Sequence, residues 1–186
     1  MNTFLNRTLS TERCFLRKPV ADDAENFFNL RSDPAVNQYI DRKPVANLDD
    51  AREFITKTLA GTDESKWAYW VIQRKVDKAF MGTICLWNFS DDRKTAEVGF
   101  ELLPRFQGVG YASESLIRVM ELGFIDLGLS SLTGYVQSVN TPSINLMKTH
   151  HFSLKEDFIE NSAVDGKPIK NSIYLITKET WKANRE

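Results

Sequence analysis

The chain has 186 residues, 42% of them apolar and 26% charged, and its 24 basic and 25 acidic side chains give a formal net charge of −1. This composition predicts one globular domain over residues 1–186 and excludes wholesale disorder, a basic surface for nucleic acid and a polybasic membrane patch. It contains neither an apolar signal-peptide core nor a run of the ~18 apolar residues that span a bilayer, so we expect a cytoplasmic protein without membrane or nucleic-acid partners.

The first half of the chain is predicted to contain a strand, two amphipathic helices and a three-stranded meander. Helical spacing of apolar residues alternates with segments rich in aromatic and β-branched residues. The segments are a strand at 13–20, helices at 22–33 and 49–61, and strands at 67–75, 79–89 and 95–103. Pro34 lies beyond the end of the first predicted helix, and Gly61 marks the end of the second.

The second half continues with alternating helices and strands. A long amphipathic helix follows a Gly-rich turn and extends to Leu127, where Gly128 ends it. The later segments are a strand at 131–139, a helix at 141–150, and strands at 152–161 and 171–178. This order predicts an α/β (α+β) domain with a mixed, mostly antiparallel central sheet flanked by helices.

The two cysteines give no sign of a metal site or a disulfide framework. Cys14 and Cys85 lie in apolar, strand-like segments, and neither is in a C-x-x-C or metal-type spacing. We therefore expect buried thiols that pack as small hydrophobic residues, and no bound metal.

The Gly-rich turn is the strongest candidate for a functional motif. The segment PRFQGVGYASESL, residues 104–116, places Gly108 and Gly110 between a strand and a helix. Backbone N–H groups in such a turn and at a helix N-terminus bind phosphate. A P-loop would need G-K-[ST], and a dinucleotide fingerprint would need a third glycine where Ser113 stands. On this evidence alone, a purely structural turn remains equally open.

The wider sequence resembles a known family. Residues 105–110 (RFQGVG) match R/Q-x-x-G-x-G/A, the pyrophosphate loop of the GNAT N-acetyltransferase superfamily. The later segment NTPSINLMKTHHF is similar to the N-x-x-S…G-F pattern of its Rim-type branch, the ribosomal-protein N-terminal acetyltransferases and their relatives. The resemblance covers a core of about residues 11–181. It implies a sheet splayed at the site of acetyl-CoA, which is the acetyl donor.

The resemblance also assigns residues to acetyl-CoA. The pantetheine arm is expected to add to the edge of the strand at 95–103, and the backbone N–H groups of the loop are expected to bind the pyrophosphate. Asn140 is expected to bond the pantetheine amides or to cap the following helix, and the two roles are compatible. The implied cofactor residues are Phe100, Glu101, Leu102, Arg105, Gln107, Gly108, Val109, Gly110, Tyr111, Ala112, Asn140 and Asn145.

Acetyl transfer needs an oxyanion partner and a proton for the leaving thiolate. Backbone N–H groups near Leu102 and Leu103 are candidates for the oxyanion. Many family members supply the proton from a Tyr at the position of Met147, which has no proton to donate. The resemblance therefore implies Ser143 as the donor, while an ordinary helical serine is the alternative.

The general base is the least determined role. Glu97 and Glu101 share one face of a regular strand but are separated by ~13 Å, too far for a close carboxylate pair. A β-bulge in this strand would change which face of the sheet each of the two side chains is on. The alternative to a catalytic role is that both are ordinary solvated carboxylates on the strand surface. His150 and His151 are most simply helix-end residues, although His151 replaces the Gly of the family pattern.

The sequence leaves three hypotheses for the function, because it does not identify the acceptor. An α-amine, with a pKa of ~7.7–8.0, needs only a weak base, whereas lysine, at ~10.4, needs a stronger one. We therefore expect direct transfer in a ternary complex to a protein N-terminal α-amine. A small-molecule amine (an antibiotic, polyamine or amino-acid derivative) is the second hypothesis, and a non-enzymatic acyl-CoA-binding module is the third. A monomer and a homodimer both remain open.

Overall fold

An eight-stranded sheet forms the centre of the fold. The computed structural model describes residues 3–185, so residues 1, 2 and 186 of the predicted domain lie outside the described range. The strands are β1 (Leu9–Ser10), β2 (Cys14–Arg17), β3 (Ala68–Arg74), β4 (Phe80–Trp87), β5 (Thr95–Leu102), β6 (Ser131–Gln137), β7 (Ser153–Asn161) and β8 (Pro168–Thr177). Their order is β1-β2-β3-β4-β5-β6-β8-β7, and only β5 and β6 pair in parallel. The predicted mixed, mostly antiparallel sheet is confirmed.

Helices cover both faces of this sheet. They are α1 (Ala24–Ser32), α2 (Pro34–Asn37), α3 (Leu48–Asp63), α4 (Tyr111–Glu121), α5 (Thr141–Thr149) and α6 (Lys178–Ala183). On one face, the buried ring of Phe27 in α1 lies 5.6 Å from Phe54 of α3 and 5.4 Å from Phe80 of β4. α4 packs against β2, β4 and β5 on the other face. No helix within residues 3–185 has the length and apolar content needed to cross a bilayer.

The structure moves several predicted ends in the first half. The predicted strand at 13–20 is shortened to β2, because the chain turns after Pro19 into a 3-10 turn at Ala21–Asp23. The short strand β1 has no counterpart among the predicted segments. α3 continues past Gly61, where a Cβ would lie 2.0 Å from the ring of Trp67. That glycine therefore permits close packing and does not end the helix. Pro34 begins α2.

The second half agrees more closely with the prediction. The predicted long helix is α-helical only to Glu121 and continues as a π-helical turn, Leu122–Asp126. Gly128 follows with a φ of +68°, the left-handed conformation expected of a helix-ending glycine. The predicted buried thiols are only partly confirmed, since Cys14 is buried but Cys85 is half-buried; both are free.

The parallel pair β5 and β6 separates along its length. Pairing covers only Thr95–Glu97 with Ser131–Thr133, although β5 continues to Leu102 and β6 to Gln137. The last five residues of β5 therefore have no strand partner on the β6 side. This is the splay that the resemblance implies, and it creates the opening in which the candidate site lies.

Candidate active site

A cleft lies where β5 and β6 separate. Its cavity volume is about 720 Å³, within the range of small-molecule sites of ~300–1,000 Å³. The predicted site residues that line it are Phe100, Glu101, Leu102, Gln107, Gly108, Gly110, Tyr111, Ala112, Asn140, Ser143 and Asn145. Other lining residues come from α2 and the loop that follows it, including Gln38, Tyr39 and Ile40. Segments far apart in the sequence thus meet around one opening.

The Gly-rich loop has the conformation that its glycines predict. Gly108 and Gly110 have φ values of +73° and +89°, in the left-handed region that glycine favours. A Cβ on Gly108 would have no protein atom within 4 Å, so the backbone faces open space. Glu114 is the first residue of α4 whose N–H bonds back into this turn, to the carbonyl of Gly110. The preceding N–H groups at the helix start are oriented for an anion.

The loop is braced from outside the cleft. The Arg13 guanidinium donates to the carbonyl of Val109 (3.1 Å) and lies 4.5 Å from the centre of the Tyr111 ring. Glu114 accepts from both the backbone N–H (2.7 Å) and the side chain (2.6 Å) of Arg13. Glu114 therefore holds the loop and the start of α4 against the segment before β2. No sequence pattern marks Arg13 for this contact.

The free edge of β5 presents main-chain groups to the cleft. The Leu103 N–H donates to the Met81 carbonyl on the β4 side (2.9 Å). The prediction that Leu103 offers a free N–H to the oxyanion is therefore wrong. Because neighbouring residues of a strand point in opposite directions, the groups of Phe100 and Leu102 point toward the splay and those of Glu101 toward β4. The Leu102 carbonyl accepts from the Gln107 side chain (2.8 Å), and its N–H remains as the candidate donor.

The start of α5 contributes polar side chains. The Asn140 carbonyl oxygen caps α5 by accepting the Ser143 N–H at 3.2 Å. Its amide nitrogen has no acceptor within residues 3–185, so the cap leaves this donor for a ligand. The Ser143 hydroxyl also has no partner there. Met147 is 2% exposed and packs against Gly134, in agreement with its inability to act as a proton donor.

The end of α5 retains the geometry of the missing glycine. His151 has a φ of +65°, its N–H donates to Lys148, and the Phe152 N–H donates to Met147. These two bonds form a Schellman motif, in which a left-handed residue follows the helix. The substitution of His for Gly therefore leaves the turn in place and puts a side chain in a strained conformation.

Glu101 belongs to a buried charge cluster. Its carboxylate lies 2.7 Å from Arg42 and 3.4 Å from Arg31, and it accepts from Thr83 at 3.4 Å. These side chains are almost inaccessible, with Glu101 10% exposed and each arginine 16%. A carboxylate engaged by two guanidinium groups is suited to hold elements together. Arg31 appears in the sequence as a charged residue on the apolar stripe of α1, whereas no pattern marks Arg42.

Glu97 has a different environment on the same face of β5. It lies at the last paired position of β5 and β6, opposite Thr133. Burial raises the pKa of its carboxyl to about 7, although hydrogen bonds from Asn88 and Trp87 favour the charged form. The pairing of β4 with β5 is regular, so no bulge in it reassigns the faces.

Three of the predicted site residues, Glu97, Arg105 and Val109, do not line the cleft. Arg105 lies exposed over the Phe106 ring.

A comparison with protein families identifies the fold and chemistry. A model of the acetyltransferase (GNAT) domain matches residues 13–153. The chain belongs to the GNAT acetyltransferase family. It is therefore an acetyl-CoA-dependent N-acetyltransferase, as predicted. Within residues 3–185, no three His, Cys, Asp or Glu side chains are grouped to bind a metal ion.

The similar proteins extend over nearly the whole chain. The uncharacterized N-acetyltransferase p20 of Bacillus licheniformis is 33% identical over 94% of this chain and 98% of its own. The uncharacterized N-acetyltransferase YoaA of Bacillus subtilis (strain 168) is 29% identical over 91% and 96%. A GNAT acetyltransferase structure from Bacillus anthracis has a TM-score of 0.81 at 23% identity, covering 93% of this chain and 99% of that one.

Proteins with the same fold are named for different acceptors. RimL, a ribosomal L7/L12 alpha-N-protein acetyltransferase, has a TM-score of 0.81 at 16% identity and covers 92% of this GNAT chain and 94% of its own. The spermidine N-acetyltransferase of Vibrio cholerae, solved with CoA and spermine, has a TM-score of 0.80 at 19% identity, with 91% and 98% coverage. A Rim-type structure is thus among the neighbours, and the fold alone does not select the acceptor.

Proposed function

We propose that this GNAT enzyme transfers the acetyl group of acetyl-CoA directly to a primary amine of low pKa, in first place the α-amine of a protein N-terminus. The observation that carries the proposal is the cleft itself, in which the Gly-rich loop, the free edge of β5 and the start of α5 converge. Acetyl-CoA supplies an activated acetyl thioester when bound. The remaining requirements fall on residues of the chain.

The cleft fits acetyl-CoA by the chemistry of its walls. Gly108 leaves open space beside loop N–H groups for the diphosphate, and Arg105 adds a positive charge nearby. The main-chain groups of Phe100 and Leu102 suit an extended ligand with amide groups, as does the free amide nitrogen of Asn140. The Leu102 N–H is the candidate oxyanion donor, and Ser143 the candidate proton donor.

The acceptor amine is proposed to react without an acyl-enzyme. Neither Cys14 nor Cys85 lines the cleft, so neither thiol is placed as a nucleophile there. Direct attack in a ternary complex needs the amine in its neutral form. Glu97 is the candidate base, because its pKa of about 7 places it near the working pH. It acts through water, since its side chain lies outside the cleft wall.

The strength of this base favours an α-amine over a lysine side chain. A carboxylate with a pKa of about 7 is well matched to an α-amine at ~7.7–8.0, and poorly matched to lysine at ~10.4. Protein N-termini and small molecules with an α-amine or another amine of low pKa both meet this condition. The acceptor is therefore defined by the low pKa of its amine and not by its size.

One feature favours a small-molecule acceptor as the second candidate. The loop of residues 38–47, which lines the cleft, is held at two adjacent positions. Asp41 accepts from the Ser162 hydroxyl (2.6 Å) and the Ala163 N–H (2.7 Å) of the β7–β8 turn, while Arg42 pairs with Glu101. A loop fixed on both sides narrows the approach for a polypeptide.

The location and the oligomeric state of the enzyme are separate predictions. We propose a cytoplasmic enzyme that is a monomer or a homodimer.

A label-transfer assay tests the proposal. The pure protein is incubated with [acetyl-14C]acetyl-CoA and three acceptors: a peptide with a free α-amine, the same peptide α-acetylated but retaining one lysine, and spermidine. We expect label on the free α-amine and little on the lysine. Transfer to spermidine alone would replace the N-terminal proposal with the small-molecule one, and it would also contradict the argument from amine acidity, because the amines of spermidine are as basic as that of lysine (~10.4). Transfer to the α-blocked peptide would contradict the argument from amine acidity.

A further inference from the structure

The first turn of α4 contacts the end of α5 through one polar pair. The Ser113 hydroxyl oxygen lies 2.6 Å from Nε2 of His150, and both side chains are half-buried. Ser113 lines the cleft, as does Thr149, the neighbour of His150. Ser113 also stands where a dinucleotide fingerprint would have its third glycine. A titratable ring is thus one hydrogen bond away from the proposed diphosphate site.

The surroundings of His150 favour its neutral form in the free protein. Burial lowers its pKa, and the neighbouring His151 lowers it further. On α4, Glu114 follows Ser113, but its carboxylate is held by Arg13 and Thr11. On α5, Lys148 is turned toward the Tyr174 ring. No carboxylate within residues 3–185 is paired with His150 to favour its charged form.

We propose that His150 is a positioning residue of the diphosphate site, which acts through Ser113 and takes up a proton from solvent when the diphosphate of CoA binds. This inference rests on the proposed placement of CoA in the cleft. When Nε2 carries no proton, it accepts the Ser113 hydroxyl hydrogen and directs it away from the cleft. When the ring is protonated, Nε2–H donates to the Ser113 oxygen, and the hydroxyl hydrogen is free to bond a phosphate oxygen.

The sign of the effect follows from charge. Two negative charges near the imidazolium favour its protonated form, so the complex holds the proton more tightly than the free protein does. CoA affinity must then rise as the pH falls through the range in which His150 takes up its proton. A difference of one pH unit between the two titrations corresponds to about tenfold in affinity. Because burial lowers the pKa of His150 in the free protein, the increase is expected as the pH falls from neutral toward pH ~5.

Calorimetric titration with dephospho-CoA provides the test. This ligand keeps the diphosphate but lacks the 3′-phosphate, whose own second ionisation near pH ~6 would obscure the result. Titrations at pH 5, 6, 7 and 8, each in two buffers of different ionisation heat, measure affinity and proton uptake together. For the wild-type protein we expect about tenfold tighter binding at the lowest pH than at the highest, with uptake of a proton where the affinity changes.

Two variants separate His150 from its neighbour. His150→Gln retains a hydrogen-bonding side chain toward Ser113 but has no titrating group, and it should bind with no pH dependence and no buffer-dependent heat. His151→Asn is the matched control; it suits the left-handed conformation at 151 and should retain both effects. Circular dichroism melting of each variant confirms that the fold is retained.

The outcomes distinguish the inference from the function on which it rests. Binding of dephospho-CoA without proton uptake, or uptake that persists in His150→Gln, would overturn the role of His150 and leave the cofactor site intact. Failure of both CoA and dephospho-CoA to bind the folded wild-type protein would contradict the proposed site itself, and the inference with it.

Discussion

Glu97 and Glu101 lie on the same face of β5, yet their surroundings give them different roles. Glu101 is held by Arg31 and Arg42, whereas burial raises the pKa of Glu97 to about 7. A carboxylate that titrates near neutral pH can accept a proton from an ammonium group, and one fixed between guanidinium groups is better suited to bracing the cleft wall. Glu97 is therefore the candidate base, and Glu101 has a structural role.

Replacement of Glu97 by Gln tests this assignment through activity. We expect kcat/KM of the wild type to fall below about pH 7, where Glu97 becomes protonated. Glu97→Gln should lower kcat by ~100-fold or more, since general bases contribute factors of this size. It should also remove the ionisation near pH 7 and leave only that of the acceptor α-amine at ~7.7–8.0. Steady-state rates of thiol release between pH 5.5 and 9 provide the measurement. An unchanged profile would exclude Glu97 as the base.

The same variant has an opposite effect on stability. The folded-state pKa of Glu97 exceeds the ordinary 4.5, so the folded protein binds the proton more tightly and loses stability as the pH rises from about 4.5 to 7. Glu97→Gln should therefore be more stable than the wild type at pH 8 and equally stable at pH 4, by urea unfolding. Glu101→Gln, the control, should be destabilised at pH 8 because it leaves two buried arginines without their carboxylate partner.

Ser143 provides a second test at the residue scale. Its hydroxyl lines the cleft, while its backbone N–H is used by the Asn140 cap. Ser143→Ala should leave the Kd of acetyl-CoA unchanged and lower kcat by ~10-fold, less than is usual for a general acid because a thiolate leaves readily. Stopped assays with saturating acceptor measure kcat. A kcat equal to that of the wild type would remove Ser143 from the mechanism.

At the scale of elements, α5 depends on a conformation that its sequence disfavours. His151 occupies the left-handed position of a Schellman motif in which Phe152 and Met147 are both buried. A non-glycine residue there costs ~1 kcal/mol or more. His151→Gly should raise the unfolding free energy by ~1 kcal/mol and the melting temperature by ~2–4 °C. Thr149→Gly, at the last residue of α5, should instead lower the unfolding free energy by ~0.3 kcal/mol.

The outcome of that comparison is decisive for the end of α5. If His151→Gly proves no more stable than the wild type in thermal melting, the turn does not hold His151 in the left-handed conformation. The result also concerns the family sequence pattern, because His151 stands where that pattern has a glycine. The structure accounts for the departure as a tolerated strain.

Sequence and structure agree best where the evidence is local. The loop at 105–110 was identifiable because Gly108 and Gly110 supply backbone freedom at a fixed spacing, and both have positive φ. The regular alternation of 95–103 likewise predicted β5. Gly61 shows the limit of such signals, because its packing against Trp67 has the same sequence signature as a helix end.

At the scale of the whole molecule, the contacts that complete the cleft join distant parts of the chain. Asp41 and Ser162 are 121 residues apart in sequence, and Arg42 reaches Glu101 across the fold. No local pattern predicts such pairs, since each residue by itself resembles an ordinary surface charge or hydroxyl. This is why the sequence supports specific predictions for the cofactor side of the cleft and none for the acceptor side.

Release of the 38–47 loop tests its effect on the acceptor. Asp41→Ala removes both bonds to the β7–β8 turn, and the acceptor KM should rise roughly fivefold, equivalent to ~1 kcal/mol of lost ordering. The Kd of acetyl-CoA should not change. Asp165→Asn is the control, because Asp165 lies in the same turn but pairs with Lys167. An unchanged acceptor KM in Asp41→Ala would show that the loop does not contribute to acceptor binding.

Calorimetry of Gly108→Trp tests whether acetyl-CoA binds with its diphosphate at the Gly-rich loop. Gly166→Trp is a matched control, since Gly166 has the same left-handed φ (+72°) and equally open space in a turn away from the loop. Gly108→Trp should weaken acetyl-CoA binding by at least ~10-fold, the loss of one or more charge-assisted hydrogen bonds, while Gly166→Trp binds as the wild type does. Equal affinity in all three folded proteins would contradict the placement of the cofactor at this loop.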